Sequence, residues 1–125
     1  MITEDAVLMV YTKLKAVATH PVYKYSRPSS CKAPVYYVIN SLGADGGMLQ
    51  TCVVNVNAYC EDVEPGTPDI ETLSVLTRLV IATLNESSDQ TQNIQCIVKG
   101  DNLFEGEQLE NHYSNVRLEV KMLNT

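Results

Sequence analysis

The feature that most constrains the fold is the stretch 48–60, MLQTCVVNVNAYC, in which small apolar residues alternate with mixed ones. The even positions from 52 to 60 hold Cys, Val, Val, Ala and Cys, whereas the odd positions from 51 to 59 hold Thr, Val, Asn, Asn and Tyr. Successive side chains of a β-strand lie on opposite faces of its sheet. This alternation therefore predicts a long central strand with one dry face and one mixed face.

Strand patterns also occur at 22–25, 35–42, 94–98 and 115–122. Residues 87–93 predict a polar loop, and residues 100–114 predict a long acidic loop in which Leu103-Phe104 either anchors the loop or forms a short strand. The dipeptide Asp45-Gly46 is a signal for a two-residue hairpin turn between the second strand and the central strand. That turn pairs Ile39 with Cys52 and Tyr37 with Val54, so one face of the hairpin is apolar.

Two helices are predicted at 3–19 and 67–85, with Thr3 and Thr67 as their respective N-caps. The sequence His20-Pro21 ends the first helix, because the residue before proline disfavours helical backbone. The second helix carries a second apolar flank that includes Val75 and Leu79. Such a helix is either deeply buried or shared with another subunit.

These elements predict a single α+β domain over residues 1–125. We expect an antiparallel or mixed sheet of about four to five strands, with the two helices packed on one face and the order α-β-β-β-α-β-β. The length of 125 residues suffices for one hydrophobic core and is short for two.

The net charge of −6 argues against a non-specific nucleic-acid binder, because phosphate backbones require a basic surface. A local basic patch remains compatible with that charge. The first residues, MITED, lack the basic region of a signal peptide, and no apolar run approaches the roughly 20 residues that span a bilayer. We therefore expect a cytoplasmic, soluble protein whose four cysteines are thiols.

Catalytic and metal-binding patterns are weak. The sequence identifies no catalytic partner for His20 or His112. The simplest interpretation of His112 is an ordinary pairing with Glu110. The cysteines lack close metal-ligand spacing, so small buried thiols are favoured over a zinc site built with His112. Cys31 lies in a basic loop that would lower its pKa, although exposure alone explains it equally well. We predict no catalytic residues, no cofactor and no bound metal.

Charge is unevenly distributed along the chain. Residues 13–32 contain five bases and no acids, and residues 61–71 contain five acids and no bases. Opposite patches suit head-to-tail association, whereas ordinary solvated or intramolecular charge is the simpler alternative. The mixed strand face is rich in Tyr and poor in charge, as interfaces are. The candidate interface residues are Lys24, Arg27, Tyr36, Val38, Val53, Asn55, Tyr59, Glu61, Asp62, Val75 and Leu79.

The layout resembles the tail terminator, or tail-completion, proteins of tailed bacteriophages and prophages. The resemblance spans nearly the whole chain. It rests on an N-terminal helix, the segments VYKY at 22–25 and APVYYVI at 33–39, a long mixed-face strand, a helix announced by PGTP at 65–68, and the closing HYSNVRLEV at 112–120. The acidic stretch 101–110 departs from that pattern.

This resemblance implies a non-enzymatic structural protein of the virion tail, assembled in the bacterial cytoplasm. Such proteins form a homo-oligomeric ring, typically a hexamer, that caps the tail tube and presents a surface to the head connector. A head–tail joining or minor tail protein is an alternative within the class. It implies no sequence-specific nucleic-acid binding and no membrane. Outside the class, the alternatives are a small ligand-binding or enzymatic domain using Cys31 or His112, and a metal-binding domain using the cysteines.

Overall fold

The computed structural model describes residues 2–44, 49–90, 93–106 and 110–123. The helices are α1 (Ile2–Val17) and α2 (Ile70–Leu84). The strands are β1 (Val22–Lys24), β2 (Val35–Ala44), β3 (Leu49–Glu61), β4 (Ser87–Asp89), β5 (Ile94–Glu105) and β6 (Asn111–Leu123). The element order is therefore α-β-β-β-α-β-β-β among the described residues.

The six described strands form one mixed sheet in the order β1-β2-β3-β6-β5-β4. β1 pairs with β2 in parallel, and all other neighbours are antiparallel. The long strands β3 and β6 lie at the centre, and the three-residue strands β1 and β4 cover parts of the two edges. The α+β class, the mixed sheet and β3 as a central strand are confirmed.

Both helices pack on one face of this sheet, which we call the helix face. The alternate residues of β3 from Cys52 to Cys60 are at most 4 % exposed, and the same core holds Val10 and Leu14 of α1 and Leu76 and Val80 of α2. The even-numbered residues of β6 from Val116 to Val120 join them. Burying this apolar area is the main stabilising term of the fold.

The described sheet has one strand more than the upper end of the prediction of about four to five, and one of the predicted strands is longer than expected. Ser87–Asp89 forms β4, and β5 continues through residues 100–105, where a loop was predicted. Pairing with β6 supplies the backbone hydrogen bonds there, and a register shift between Val98 and Gly100 keeps β5 aligned with its partner. The apolar pattern fades because every side chain in 101–105 is exposed.

The register of the β2–β3 hairpin was also predicted wrongly. Ile39 lies opposite Val56, and Val35 opposite Cys60, so the strands are offset by four residues from the predicted pairing. The offset is even, so each residue keeps its predicted face. The predicted turn at Asp45-Gly46 lies outside the described residues.

Both predicted N-caps are wrong. α1 already includes Thr3, and α2 begins three residues later than predicted, capped by Asp69, whose carboxylate accepts a hydrogen bond from the Thr72 backbone N–H at 3.2 Å. Thr67 instead forms a β-bridge with Glu64. Among the described helices, none is long and apolar enough to span a membrane.

Candidate interaction surface

The second face of the sheet, which we call the open face, has no helix packed against it among the described residues. Its strands present Val53, Asn55 and Tyr59 from β3 and the odd-numbered residues of β6 from Tyr113 to Lys121. These side chains are half-buried or exposed. The pleat that makes the other face dry dictates this arrangement, because every second residue must point here.

A row of five aromatic rings crosses the open face, one from each of five neighbouring strands, and we call it the aromatic row. In sheet order the rings are those of Tyr23, Tyr36, Tyr59, Tyr113 and Phe104. The central contacts are close: Tyr36 and Tyr59 have centroids 4.8 Å apart and planes at 10°, and Tyr59 and Tyr113 have centroids 4.7 Å apart. Each such contact contributes about 0.5–1.5 kcal/mol.

Within the aromatic row, Tyr36 and Tyr59 stack face to face, whereas the other three neighbouring pairs are tilted, with planes at 59°, 32° and 30°. Since the centroid spacing matches the spacing of neighbouring strands, the inner rings stand side by side across the sheet. Nucleobases bind proteins largely by stacking on free aromatic faces. The ring faces by which Tyr36 and Tyr59 stack on each other are already occupied in this way.

An amide network lies beside the aromatic row. Asn55 donates to the side-chain oxygen of Asn40 at 3.2 Å, and Asn115 donates to Asn55 at 3.2 Å and to Asn57 at 2.7 Å. The network joins β2, β3 and β6 without any charged group. It satisfies these polar side chains on the open face, and it thereby lowers the cost of covering them.

The loop after β1 folds back over one end of the open face. It begins with a tight turn at Tyr25, whose φ of 71° is in the left-handed region and whose neighbours Lys24 and Ser26 are joined by a 2.9 Å backbone hydrogen bond. Arg27 then lies with its guanidinium carbon 5.3 Å from the centroid of the Tyr36 ring. Burial raises the pKa of Tyr36, and Tyr36 and Val38 are each only 6 % exposed.

A concavity of about 660 Å³ opens beside this loop. Arg27, Cys31 and Lys32 line it from the loop, and Glu61 and Glu110 line it from the ends of the strands. The structure thus brings part of the basic segment and part of the acidic segment together within one molecule. The predicted separation of charge along the sequence is only partly a separation in space.

Cys31 is the half-buried thiol of this concavity, whereas Cys52, Cys60 and Cys96 are buried. A hydrogen bond with Tyr23, together with the Ala33 backbone and Arg27, lowers the pKa of Cys31. Burial raises the pKa values of Cys60 and Cys96 to about 11, and nearby Asp69 adds to the effect at Cys60. The three buried cysteines therefore behave as apolar thiols and not as nucleophiles.

His112 pairs with Asp62. The sequence had suggested Glu110 as its partner, and that prediction is wrong. Its Nδ1 atom lies 2.6 Å from an Asp62 carboxylate oxygen, and the Asp62 side chain is only 1 % exposed. The other Asp62 oxygen accepts from the Gly66 backbone N–H at 3.1 Å. The side chain of Asp62, a candidate interface residue, therefore joins the loop before α2 to β6 within one molecule.

The remaining candidate interface residues lie on the helix side of the sheet. Lys24 contacts the ring of Tyr11 on α1, its Nζ atom 4.6 Å from the centroid. On α2, Leu79 is half-buried and Val75 is 65 % exposed. Val75 belongs to an outer stripe of four exposed residues that recur at helical spacing: Glu71, Val75, Arg78 and Ala82.

Among the described residues, no group of three or more His, Cys, Asp or Glu side chains is placed to hold a metal ion. Sequence reasoning identified the Tyr-rich mixed face but missed the aromatic row, because the row includes Phe104 and Tyr113 from segments that were expected to be loops. The sequence identified which face each residue of the β2–β3 hairpin occupies, but neither the register of that hairpin nor the long-range pairing of β3 with β6.

Comparison with known proteins adds fold information only. No protein-family model matches the chain, and no curated protein matches it. Among solved structures, one whose name describes no function aligns with a TM-score of 0.58 at 13% identity, over 100% of this chain and 99% of that one. This similarity shows that the two chains share a fold along their whole lengths.

Proposed function

We propose that the protein is a non-enzymatic assembly component of a phage or prophage tail, a terminator that forms a ring on the tail tube and contacts the head connector. The tail tube and the head connector enter this proposal as partners because the sequence layout resembles that of tail terminators. The observation that carries the self-association is the open face, a sheet surface with an aromatic row and an amide network, on which neither described helix packs.

The composition of the open face supports contact with another protein. On this face β3 presents Val53, Asn55 and Tyr59, a blend of Tyr, apolar and amide groups that interfaces favour, and β6 presents the charged Arg117 and Glu119 opposite Asn55 and Val53. Tyr36 and Val38 are already covered by their own chain and contribute rigidity more than contact area. The half-buried residues of β3 are therefore the main contact residues of this proposal.

The mechanism is geometric and needs no chemistry. Rings arise when a subunit uses two different surfaces and the rotation between neighbours closes the circle. The acidic charge of the chain also suits a lumen through which DNA passes, because like charges repel. The ring would stop growth of the tail tube by covering its end.

Oligomeric mass tests this proposal. We expect size-exclusion chromatography with light scattering to give a discrete oligomer, typically a hexamer, and electron microscopy to show it at the end of tail tubes formed by the co-expressed tube protein. Val53→Asp places a charge in the open face and should abolish the oligomer, whereas Leu8→Asp, on exposed α1, should leave it intact. A monomer at high concentration that also fails to bind tubes contradicts the proposal.

A small-molecule binding role is the second candidate, and the concavity beside Cys31 favours it. Its two bases and two acids suit a small zwitterionic ligand better than an apolar one. A screen of such compounds by thermal shift, with Lys32→Ala as the control for the site, tests this role. A shift that Lys32→Ala removes, in a protein that stays monomeric, would favour it over the ring.

A further inference from the structure

The outer surface of α2 and the open face lie on opposite sides of the same sheet. α2 packs on the helix face through Leu76 and Val80, so its outer stripe faces away from the sheet. That stripe places exposed Val75 and Ala82 between two charged residues, Glu71 and Arg78. Each molecule therefore carries two exposed surfaces with apolar content, one beyond each face of its sheet.

The charges of the two surfaces are complementary. Five of the nine Lys and Arg residues of the chain lie on the open face or at its rim: Arg27, Lys32, Lys99, Arg117 and Lys121. Glu61, Glu110 and Glu119 are the acids on that side among the described residues, so bases outnumber acids there by five to three. Glu119 lies within 4.0 Å of both Lys99 and Lys121. The first turn of α2 and the segment before it are acidic, with exposed Glu71 and Glu64 respectively.

The lengths of the two surfaces also agree. From Glu71 to Ala82 the stripe extends about 16 Å at the helical rise. From Tyr59 to Val53 the open face extends about 20 Å at the strand rise. A helix lying along the strands, with Glu71 toward Arg27, would cover the amide network and bring its acidic end to the basic rim.

We propose that α2 of one copy packs on the open face of the next copy, with Glu71 and Glu64 directed toward Arg27 and Lys32. This contact rests on the proposed function and specifies its geometry. Because the two surfaces differ, the contact is heterologous, and repeated copies generate a ring or a filament in place of a closed dimer. In the assembly each sheet then lies between two helix layers.

Two variants with complementary defects test the direction of the contact. Val53→Asp disables the open face and leaves α2 intact; Val75→Asp disables α2 and leaves the open face intact. We expect each variant alone to be monomeric by native mass spectrometry. Mixed in equal amounts, they should form a one-to-one dimer and nothing larger, because a single intact contact remains. Leu8→Asp, on the other helix, should assemble as the unmodified chain does.

A charge exchange provides a second test that leaves the core untouched. Arg27→Glu and Glu71→Arg should each raise the dissociation constant on the order of tenfold or more, and the double variant should restore it at least in part. Matched controls at exposed charges outside the contact are Lys15→Glu and Glu86→Lys, which should have no effect. Circular dichroism would verify that every variant is folded.

The outcomes separate the two proposals. If the unmodified chain forms a ring but the Val53→Asp and Val75→Asp mixture stays monomeric, the helix-on-sheet contact is wrong and the ring survives. If Val75→Asp alone still dimerises, the open faces pair with each other, which also overturns the contact. If the unmodified chain is monomeric and the open face binds a DNA duplex in a manner that Arg117→Glu abolishes, both proposals fail.

Discussion

At the scale of single residues, the buried thiols make the fold less stable at alkaline pH. Burial raises the pKa of Cys96 from 9.0 to about 11, so between these values the thiol ionises in the unfolded chain and stays neutral in the folded one. The folded state then binds more protons than the unfolded state. Stability is therefore fully present below pH 9 and falls as the pH rises toward 11.

We expect Cys96→Ala to reduce this alkaline loss by on the order of 2 kcal/mol. The measurement is the free energy of unfolding by urea at several pH values from neutral to about 11. The comparison is of slopes against pH, so the cavity that the substitution leaves does not affect it. Cys31→Ser is the control, because the pKa of Cys31 is lowered and not raised; an equal effect of both variants would contradict the prediction.

Residue roles at the ends of elements were the hardest to predict from sequence. Thr67 and Asp69 are both good N-cap residues. Asp69 is the cap of α2, because residues 64 and 67 form a β-bridge that keeps the chain extended up to that point. His112 offered Glu110 as a neighbour in sequence, but its partner Asp62 is 50 residues away. Such partners are fixed by strand pairing, which local patterns do not contain.

At the scale of elements, the aromatic row links five strands and should behave as one cooperative feature. Tyr59 is central and has a ring contact on either side, whereas Tyr23 is terminal with a single, longer contact at 6.4 Å. We expect Tyr59→Ala to destabilise the fold by about 1–3 kcal/mol more than Tyr23→Ala, because it removes two close ring contacts and Tyr23→Ala removes one longer contact.

Chemical denaturation of both variants in the Val53→Asp background would measure this difference without a contribution from association. Tyr59→Phe is the matched control, because it keeps the ring and removes only the hydroxyl. Equal losses for Tyr59→Ala and Tyr23→Ala would show that the rings act independently of their place in the row.

Periodicity predicted the existence and the faces of the main elements, because a dry face leaves a strict pattern in β3 and β6. It failed where an element has no dry face. β4 is polar and the second half of β5 has exposed side chains, and both are held by backbone pairing, so their sequences resemble loops. The hairpin register failed for a related reason: a four-residue offset preserves the apolar pattern equally well.

At the scale of the whole molecule, the distribution of charge predicts how the assembly responds to salt. The helix-on-sheet contact joins a basic rim to an acidic helix start, so screening should weaken it. The Debye length falls from about 10 Å at 0.1 M salt to about 3 Å at 1 M. We expect the oligomer to dissociate at several-fold higher protein concentration in 1 M sodium chloride than in 0.1 M.

Sedimentation velocity across a series of protein concentrations would measure this shift. The Arg27→Ala and Glu71→Ala double variant, which removes one charge from each surface, is the control and should be less sensitive to salt. An oligomer that tightens with sodium chloride would instead indicate a contact dominated by apolar burial, with the charges contributing little.

The pairing of β3 with β6 also has a kinetic consequence. These two strands form the centre of the sheet, yet the closest residues they join are Glu61 and Asn111, with α2, β4 and β5 between them in the chain. Contacts between distant segments slow folding, because loop closure must precede the gain from pairing. During synthesis, β3 leaves the ribosome with its inner edge unpaired, and the apolar face from Cys52 to Cys60 stays incompletely covered until β6 follows. The interval between these two strands is the period in which a nascent chain of this protein is most exposed to misassociation.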